Sequence, residues 1–434
     1  MLDINFIREN KDLVKKAAEN KLVKVDIDRL IVVDERRRKL QKELDDIGAS
    51  RNQLSHGIKG KPIPGQIEEG RKLKEKYSVL EEEFKKIDEE YSSLMEEVPN
   101  IPTADTPVGK SENENVILRK VGKVPEFGFK VREHWDIGKD LDVIDIERAS
   151  KISGSRFAFL KGDLALLEFA LIQFVMSVVT DEKELKKIIK KAKLDISQKP
   201  FIPVVPPVMV KPETMKKMGR LEPKEERYYI PSDDAYLVGS AEHSLGSMHM
   251  NEIFSEEELP RRYVGFSTSF RREAGSYGKD VRGLIRVHQF DKLEMESFSL
   301  QEDSVKEHEL FIAIQEYLMQ SLELPYQLVL KCTADMGSPD ARAVDIETWL
   351  PGQNKYRETH TADLMTDFQA RRLKTKVKRG NGKLEYVHMN DATAFAIGRT
   401  LVAIIENYQK EDGTVGIPKI LQRYIGKRSI IKPN

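Results

Sequence analysis

The sequence predicts an α+β protein: an antiparallel sheet flanked by helices, preceded by a helical arm. Three observations predict it. An a/d seam occurs twice in the first hundred residues, on either side of a Gly/Pro-rich break. From about residue 115 on, strand-like segments follow one another through loops rather than through regular βαβ units. Charged residues make up 33% of the 434 residues, above the ~25% of an average soluble protein, while 39% hydrophobic residues leave enough for a sizeable core.

In the arm, Leu30, Val33, Arg37, Leu40, Leu44, Ile47, Arg51 and Leu54 fall at 3-4-3-4 spacing. Leu73, Tyr77, Leu80, Phe84, Ile87, Tyr91, Leu94 and Val98 repeat the pattern. Between them HGIKGKPIPG excludes a continuous helix. Two helices of roughly 45 Å joined by this break form an antiparallel coiled-coil hairpin. Its cations include Arg36, Arg38, Lys39, Lys42, Lys72, Lys74 and Lys76, interleaved with acids. They fit a solvated coiled-coil face or, alternatively, a reader of duplex phosphates, since no aromatic platform for single-stranded bases accompanies them. The three prolines of VPNIPTADTPVG (98–109) close the arm as a linker, which sets the expected domains at 1–104 and 105–434.

In the second domain, Leu164, Leu167, Leu171, Phe174 and Val178 mark an amphipathic helix, and Ala394–Tyr408 reads as a buried one. Phe201–Val210 reads as an extended strand broken by prolines. Strands are expected at Arg261–Phe270, Arg282–Ser299, Leu324–Cys332 and Ala343–Pro351. Leu185, Ile188, Ile189 and Ala192 of EKELKKIIKKAK give a short helix with a basic face, either an inserted surface helix or an extra RNA contact.

Composition narrows the function. Lys+Arg and Asp+Glu are 72 each, so no global basic coat exists and any nucleic-acid surface is local. The one cysteine, Cys332, excludes a disulfide framework and cysteine-based zinc. The histidines show no metal-ligand spacing, so no zinc is expected. No apolar run is read as approaching the ~18–20 residues of a membrane span, and MLDINFIRENKDLV is too charged for a secretory signal. The expectation is a soluble cytoplasmic protein without a membrane role.

Neither a G-x-x-x-x-G-K-[ST] loop nor a dinucleotide fingerprint is present. A nucleotide would instead be held by arginines on a sheet, as in FRREAGSYGKDVRGLIRVHQF. There Arg271 and Glu273 share a face, a Gly-rich loop follows, and Arg282 and Arg286 come next. By itself such a segment also fits an ion-paired surface hairpin.

FRREAGSYGKDVRGLIRVHQFDKLE resembles motif 2 of class II aminoacyl-tRNA synthetases, in the version of the seryl-tRNA synthetases. YLVG-SAEH, ELPRRYVGFS, WLPGQNKYRE, DFQARR and IGRTLVAIIENYQKEDGTVGIPKIL fit the same family in the same order, and with the arm the resemblance covers nearly the whole chain. It implies a six-stranded-type antiparallel class II sheet and a homodimer formed by helix 163–178 and the strand ending at Pro206–Pro207. It also implies ATP with Mg²⁺, L-serine, and tRNA-Ser gripped by the arm, with tRNA-Sec as a further substrate. Carried over residue by residue, it places Arg271 on the α-phosphate, Glu273 on the adenine side and Arg399 on the bent triphosphate. Val287, Arg272 and the run Glu358, Thr359, His360, Thr361 join the ATP site, with Glu358 near the magnesium. Ser240, Ala241 and Glu242 take the serine ammonium, and Glu294 and Thr393 the side-chain end.

Departures stand beside the match. The family's E-[IV]-S-S-C-S-N is here Glu358-Thr359-His360-Thr361-Ala362-Asp363-Leu364, and Asp391 replaces an uncharged Asn. Drift, altered substrate handling or inhibitor resistance, and loss of activity are the readings these leave open. Two other functions compete with serine–tRNA ligation: a paralogue that binds RNA or a partner without aminoacylating, and a ligase that charges a carrier protein. The retained arginines and carboxylates argue against the first and the arm against the second.

Overall fold

The structure, a computed structural model, describes residues 1–57, 60–273 and 282–433. The chain divides into two compact units, Met1–Ile101 and Pro102–Asn434.

The first unit is helical: α1 (Ile4–Glu9), α2 (Lys11–Asn20), α3 (Ile27–Gly57) and α4 (Pro64–Glu97). Asp3 caps α1 by accepting from the Asn5 N–H at 2.8 Å. In α3 the seam residues Leu30, Val33, Leu40, Leu44 and Ile47 are buried. The two arginines at seam positions lie over tyrosine rings of α4: Arg37 4.6 Å from Tyr91 and Arg51 5.2 Å from Tyr77. Their stems fill the seam and the rings face the charge, so a cation interrupts neither helix. Helix α4 starts earlier than the glycine and proline pattern suggests. Pro64 sits in its first turn, where the missing N–H has no intrahelical acceptor to lose.

The charges of the hairpin divide into two sets. Arg29 pairs with Glu90, Arg36 with Glu83 and Arg37 with Asp88 across it, while Arg71–Glu75 and Lys72–Glu68 pair along α4. Arg38, Lys39, Lys42, Lys61, Lys74 and Lys76 are exposed and make no ion pair with a described residue.

The second unit is built on an eight-stranded sheet. Its strands are β1 (Val116–Val121), β2 (Ile202–Val204), β3 (Arg261–Phe270), β4 (Gln289–Ser299), β5 (Tyr326–Leu330), β6 (Arg342–Leu350), β7 (Lys355–Thr366) and β8 (His388–Ala396). The spatial order is β1-β5-β6-β7-β8-β4-β3-β2. The run from β5 to β3 is six antiparallel strands; β1 adds antiparallel at one edge and β2 parallel at the other. Alternation sorts the side chains. Leu293, Met295, Val344, Ile346, Ala362, Ala392 and Ala394 join the main apolar core. The intervening Glu294, Thr361, Asp363, Asp391 and Thr393 line a cavity. Helices α5 (Gly162–Val179), α6 (Glu182–Ala192), α7 (Ser304–Ser321) and α8 (Ile397–Asn407) pack around the core.

Several expectations are refined. Strand β4 begins at Gln289, not Arg282: Gly283 has φ +77, outside the range of a strand, and lies against His134. The segment 201–210 gives two short strands, Ile202–Val204 and Met209–Val210. The segment from Ala394 is split, with β8 running to Ala396 before α8 starts. The basic stretch after Thr180 is helix α6, capped by Asp181, with Leu185, Ile188 and Ile189 buried and Ala192 exposed. One expectation is corrected: α5 is long and apolar enough, by length and composition, to cross a membrane. Its Leu164, Leu167, Leu171 and Phe174 pack in the core instead, and it carries Asp163 and Glu168, so the apolarity serves burial between sheet and helices.

Candidate functional site

The cavity on the polar face of the sheet has a volume of about 430 Å³. Its walls come from β4, β7 and β8, the start of α8, and the loops around Arg220, Ser240 and Gly337. A neighbouring chamber shares Ile285, Lys331, Glu358, Thr359 and Arg399 with it.

One end is cationic. Arg271, just beyond β3, donates from Nε to the Gly239 carbonyl at 3.1 Å, and its guanidinium lies 5.5 Å from the Phe290 ring centroid. Its main chain is clamped as well, since its N–H donates to the His288 carbonyl. Arg399, in the first turn of α8, reaches from Nη1 to the Glu358 carbonyl at 2.9 Å and the Glu358 carboxylate at 3.1 Å. Desolvation opposes ionisation of the half-exposed Glu358, but Arg399 and Lys331 outweigh it and hold the carboxyl below its usual range. Arg227 also lines this region. Burial, with Arg271 close by, pushes its guanidinium down to about 10. Lys331 sits 3.5 Å from Asp345, whose carboxyl burial pushes up to about 7 against the pull of Lys331.

The other end is acidic. Ser240 Oγ donates to Glu294 at 3.0 Å, and Lys292 reaches both, 2.5 Å from Glu294 and 3.2 Å from Ser240. Burial raises the Glu294 carboxyl despite Lys292. Glu242 opens a short helix, Glu242–Leu245, and accepts from Arg220 Nε at 2.6 Å. Burial works against its charge, yet Arg220 holds it well below the ordinary carboxylate range. Beside it burial pushes His243 down to about 3, so the imidazole is neutral and its Nδ1 accepts from the Gly239 N–H at 3.2 Å. Thr393, partner of Glu294 across β4 and β8, completes this end.

The structure thus brings Arg271, Val287, Glu358, Thr359, Thr361, Arg399, Ser240, Glu242, Glu294 and Thr393 to one cavity. It places four sequence candidates elsewhere. Glu273 pairs with Arg286 at 3.2 Å rather than lining the cavity. Arg272 lies 4.8 Å over the Tyr228 ring and donates to the Arg227 carbonyl. His360 points into the core, edge-on to Phe395 with Nδ1 2.8 Å from Thr359 Oγ1, because alternation along β7 turns it away from the face that Thr361 occupies. Ala241 is fully buried behind Ser240 and Glu242. The Gly-rich loop at 274–281, also singled out in the sequence, lies outside the described residues.

Sequence reasoning missed Arg220, Arg227, Phe290, Lys292, Lys331 and Asp340, all in the wall. Lys292 was legible: at two residues before Glu294 on one strand it shares the face. Arg220 and Asp340 lie in loops and reach the site only through long-range packing.

A family model described as the seryl-tRNA synthetase N-terminal domain matches residues 1–102. A second, the class II tRNA synthetase core domain (G, H, P, S and T), matches residues 227–408. A serine–tRNA ligase of Thermodesulfovibrio yellowstonii is 41% identical, aligned over 98% of this chain and 99% of its own. One from Petrotoga mobilis is 40% identical over 99% and 100%. The crystal structure of seryl-tRNA synthetase from Pyrococcus horikoshii complexed with ATP superposes with a TM-score of 0.86 at 36% identity, covering all of both chains. On this full-length agreement in sequence, fold and order of motifs, the chain belongs to the seryl-tRNA synthetase family.

Proposed function

We propose that this chain is a serine–tRNA ligase, and that the cavity binds ATP at its Arg271–Arg399 end and L-serine at its Glu242–Glu294 end. The observation that carries this is the charge division of one cavity. Phosphate oxygens need the cations, and an α-ammonium needs the carboxylates. The serine carboxylate then attacks the α-phosphorus, the bond to the bridging oxygen breaks, and pyrophosphate leaves with its charge matched by Arg271 and Arg399. The terminal ribose hydroxyl of the tRNA next attacks the seryl carbonyl, loses its proton and displaces AMP. Neither step needs a protein nucleophile; orientation and charge stabilisation suffice.

Glu242 takes the serine ammonium, and Glu294 with Thr393 the hydroxyl. Among the described residues no group of three His, Cys, Asp or Glu is arranged to hold a metal by itself. Glu358 fits a magnesium ion that arrives with the nucleotide, since such an ion takes one or two carboxylates and fills its shell with phosphate oxygens and water. Bound there, it would neutralise phosphate charge.

The arm serves tRNA-Ser through its unpaired cations, which makes residues up to about 104 the tRNA-binding domain and the remainder the catalytic one; tRNA-Sec is a substrate if the arm reads shape. A homodimer is supported by apolar side chains left exposed on α5 and after β2: Phe169 at 58% and Val205 at 86%. The cytoplasm is the expected compartment. The test is ATP–pyrophosphate exchange with each amino acid, followed by charging of tRNA-Ser. Exchange that depends on serine and charging that depends on the arm are expected; exchange without charging of any tRNA would leave an adenylating enzyme of another kind.

A further inference from the structure

The floor of the cavity carries two acids that serine does not require, Asp363 and Asp391, and a third, Glu296, lies buried beside Asp391. Asp363 on β7, Asp391 on β8 and Glu296 on β4 are direct cross-strand partners: Asp363 opposite Asp391, and Asp391 opposite Glu296. Carboxyls directly opposite one another would repel if all were ionised. The row lies two residues along the strands from Glu294 and Thr393, about 7 Å deeper at the usual strand rise.

The cations present do not match it. Lys292 is taken by Glu294. Arg220 makes its short contact with Glu242, and its Nη2 stands 3.5 Å from Asp391, 3.5 Å from Asp340 and 3.8 Å from Asp363. One guanidinium therefore faces four carboxyls. Asp391 lines the cavity at 3% exposure, and its Oδ2 has no hydrogen-bond partner among the described residues. Neither oxygen of Glu296, at 1% exposure, has one either. Burial holds both carboxyls well above their usual range, with Glu242 adding to the effect. The described acids are not grouped to hold a metal ion. The spacing instead suits an ammonium group, which points its N–H bonds at acceptors several ångströms apart.

We propose that this row is a subsite for a second ammonium group, so that the enzyme also activates α-amino acids bearing a primary amine on a short aliphatic side chain. The inference rests on the reading that the same cavity binds the amino acid. The amine passes Glu294 and Thr393 and donates to Asp391, with Asp363 and Glu296 as its neighbours. Asp391 is then a determinant of specificity and not of the chemical step.

The test is ATP–pyrophosphate exchange by the full chain with serine, 2,3-diaminopropionate, 2,4-diaminobutyrate, ornithine and lysine, each alone. At least one diamino acid should support exchange, the longer ones better than 2,3-diaminopropionate. Asp391→Asn should lower the diamino-to-serine ratio of kcat/KM by roughly 10- to 100-fold, the weight of one charge-assisted hydrogen bond. Glu296→Gln should lower it less. Serine-dependent exchange in the same preparations reports whether each variant has folded. Exchange with serine but with no diamino acid would overturn the proposal and leave the row as a berth for Arg220. A ratio unchanged in both variants would also overturn it. Exchange with no amino acid at all would instead overturn the reading of the cavity, and the subsite with it.

Discussion

Replacing Arg399 with alanine tests the cationic end of the cavity most directly. Its Nη1 is engaged with the Glu358 carbonyl and carboxylate, and no other donor of Arg399 bonds a described residue. The N–H of Nε and the two of Nη2 thus remain, and a bidentate grip on a phosphate uses two of them. Two charge-assisted hydrogen bonds at about 1.5–3 kcal/mol each give about 3–6 kcal/mol. At about 1.4 kcal/mol per decade that is a loss of about 10²–10⁴ in kcat/KM for ATP. Arg399→Lys keeps the charge but not the fork, so it should recover only part of the loss. A second signature is the acid limb. Desolvation raises the carboxyl of the half-exposed Glu358, and Arg399 has the largest effect among the cations that hold it below its usual range. A depressed carboxyl keeps its charge until pH falls through its folded value. Without Arg399 that value rises, and the acid limb of the exchange rate should move to higher pH while Lys331 and Arg271 limit the shift. The assay is serine-dependent pyrophosphate exchange against ATP concentration across pH. An alanine variant within about threefold of wild-type kcat/KM would refute the assignment of Arg399 to the phosphates.

Three further outcomes follow from the same geometry. Wild-type enzyme should prefer serine to alanine by ~10⁴ or more, because Glu294 and Thr393 would be left unpaired by alanine; Glu294→Gln should cut this ratio, and equal activation of the two amino acids by wild type would show the pocket reading wrong. Changing Lys39, Lys42, Lys74 and Lys76 together to glutamine should raise the KM for tRNA-Ser, leave that for ATP unchanged, and flatten the salt dependence of charging by up to about 0.9 for each phosphate these lysines neutralise; an unchanged salt slope would make these cations a solvated face only. Gly283→Ala places a Cβ against His134 at φ +77 and should lower the melting temperature and slow exchange, whereas Gly128→Ala, with open space around it, should do neither; thermal melts of the two variants decide this.

How much of the molecule could be read from the chain depended on whether one face of each element is uniform. The arm was legible because Leu30, Val33, Leu40 and Leu44 repeat without interruption and the exceptions, Arg37 and Arg51, lie over rings in the same seam. Strand β3 was legible too, because its ten residues include the strand formers Tyr263, Val264, Phe266 and Thr268. Strands β7 and β8 were not read as strands. Their core face is made of small residues such as Ala362, Ala392 and Ala394, and their cavity face of Thr361, Asp363, Asp391 and Thr393, so the alternation is small against polar and carries little hydrophobic signal. The helix α7 was missed for the opposite reason: it is buried nearly all round, with Glu307, His308 and Gln315 in the core, and its polar residues mask the period. Glu307 is there because it meets Arg262, at 2.6 and 2.8 Å, a pairing no local pattern announces.

The charges of the site were hidden in the same way. Equal numbers of acidic and basic residues give a formal net charge of zero, yet within the cavity they are unevenly divided. Arg271, Arg399, Arg227 and Lys331 stand with Glu358 at one end, and Glu242, Glu294, Asp363 and Asp391 with Arg220 and Lys292 at the other. Such a division is costly in a buried space unless ligands complete it. In the proposed reading a triphosphate supplies anions at one end and an ammonium a cation at the other. The two ends would then orient an amino acid by its own dipole, ammonium toward Glu242 and carboxylate toward Arg271, before any contact with its side chain. Orientation by the zwitterion leaves side-chain selection to the rows beyond Glu242. On that reading, substitutions at Glu294, Thr393 and Asp391 should change what is selected without changing how it is activated.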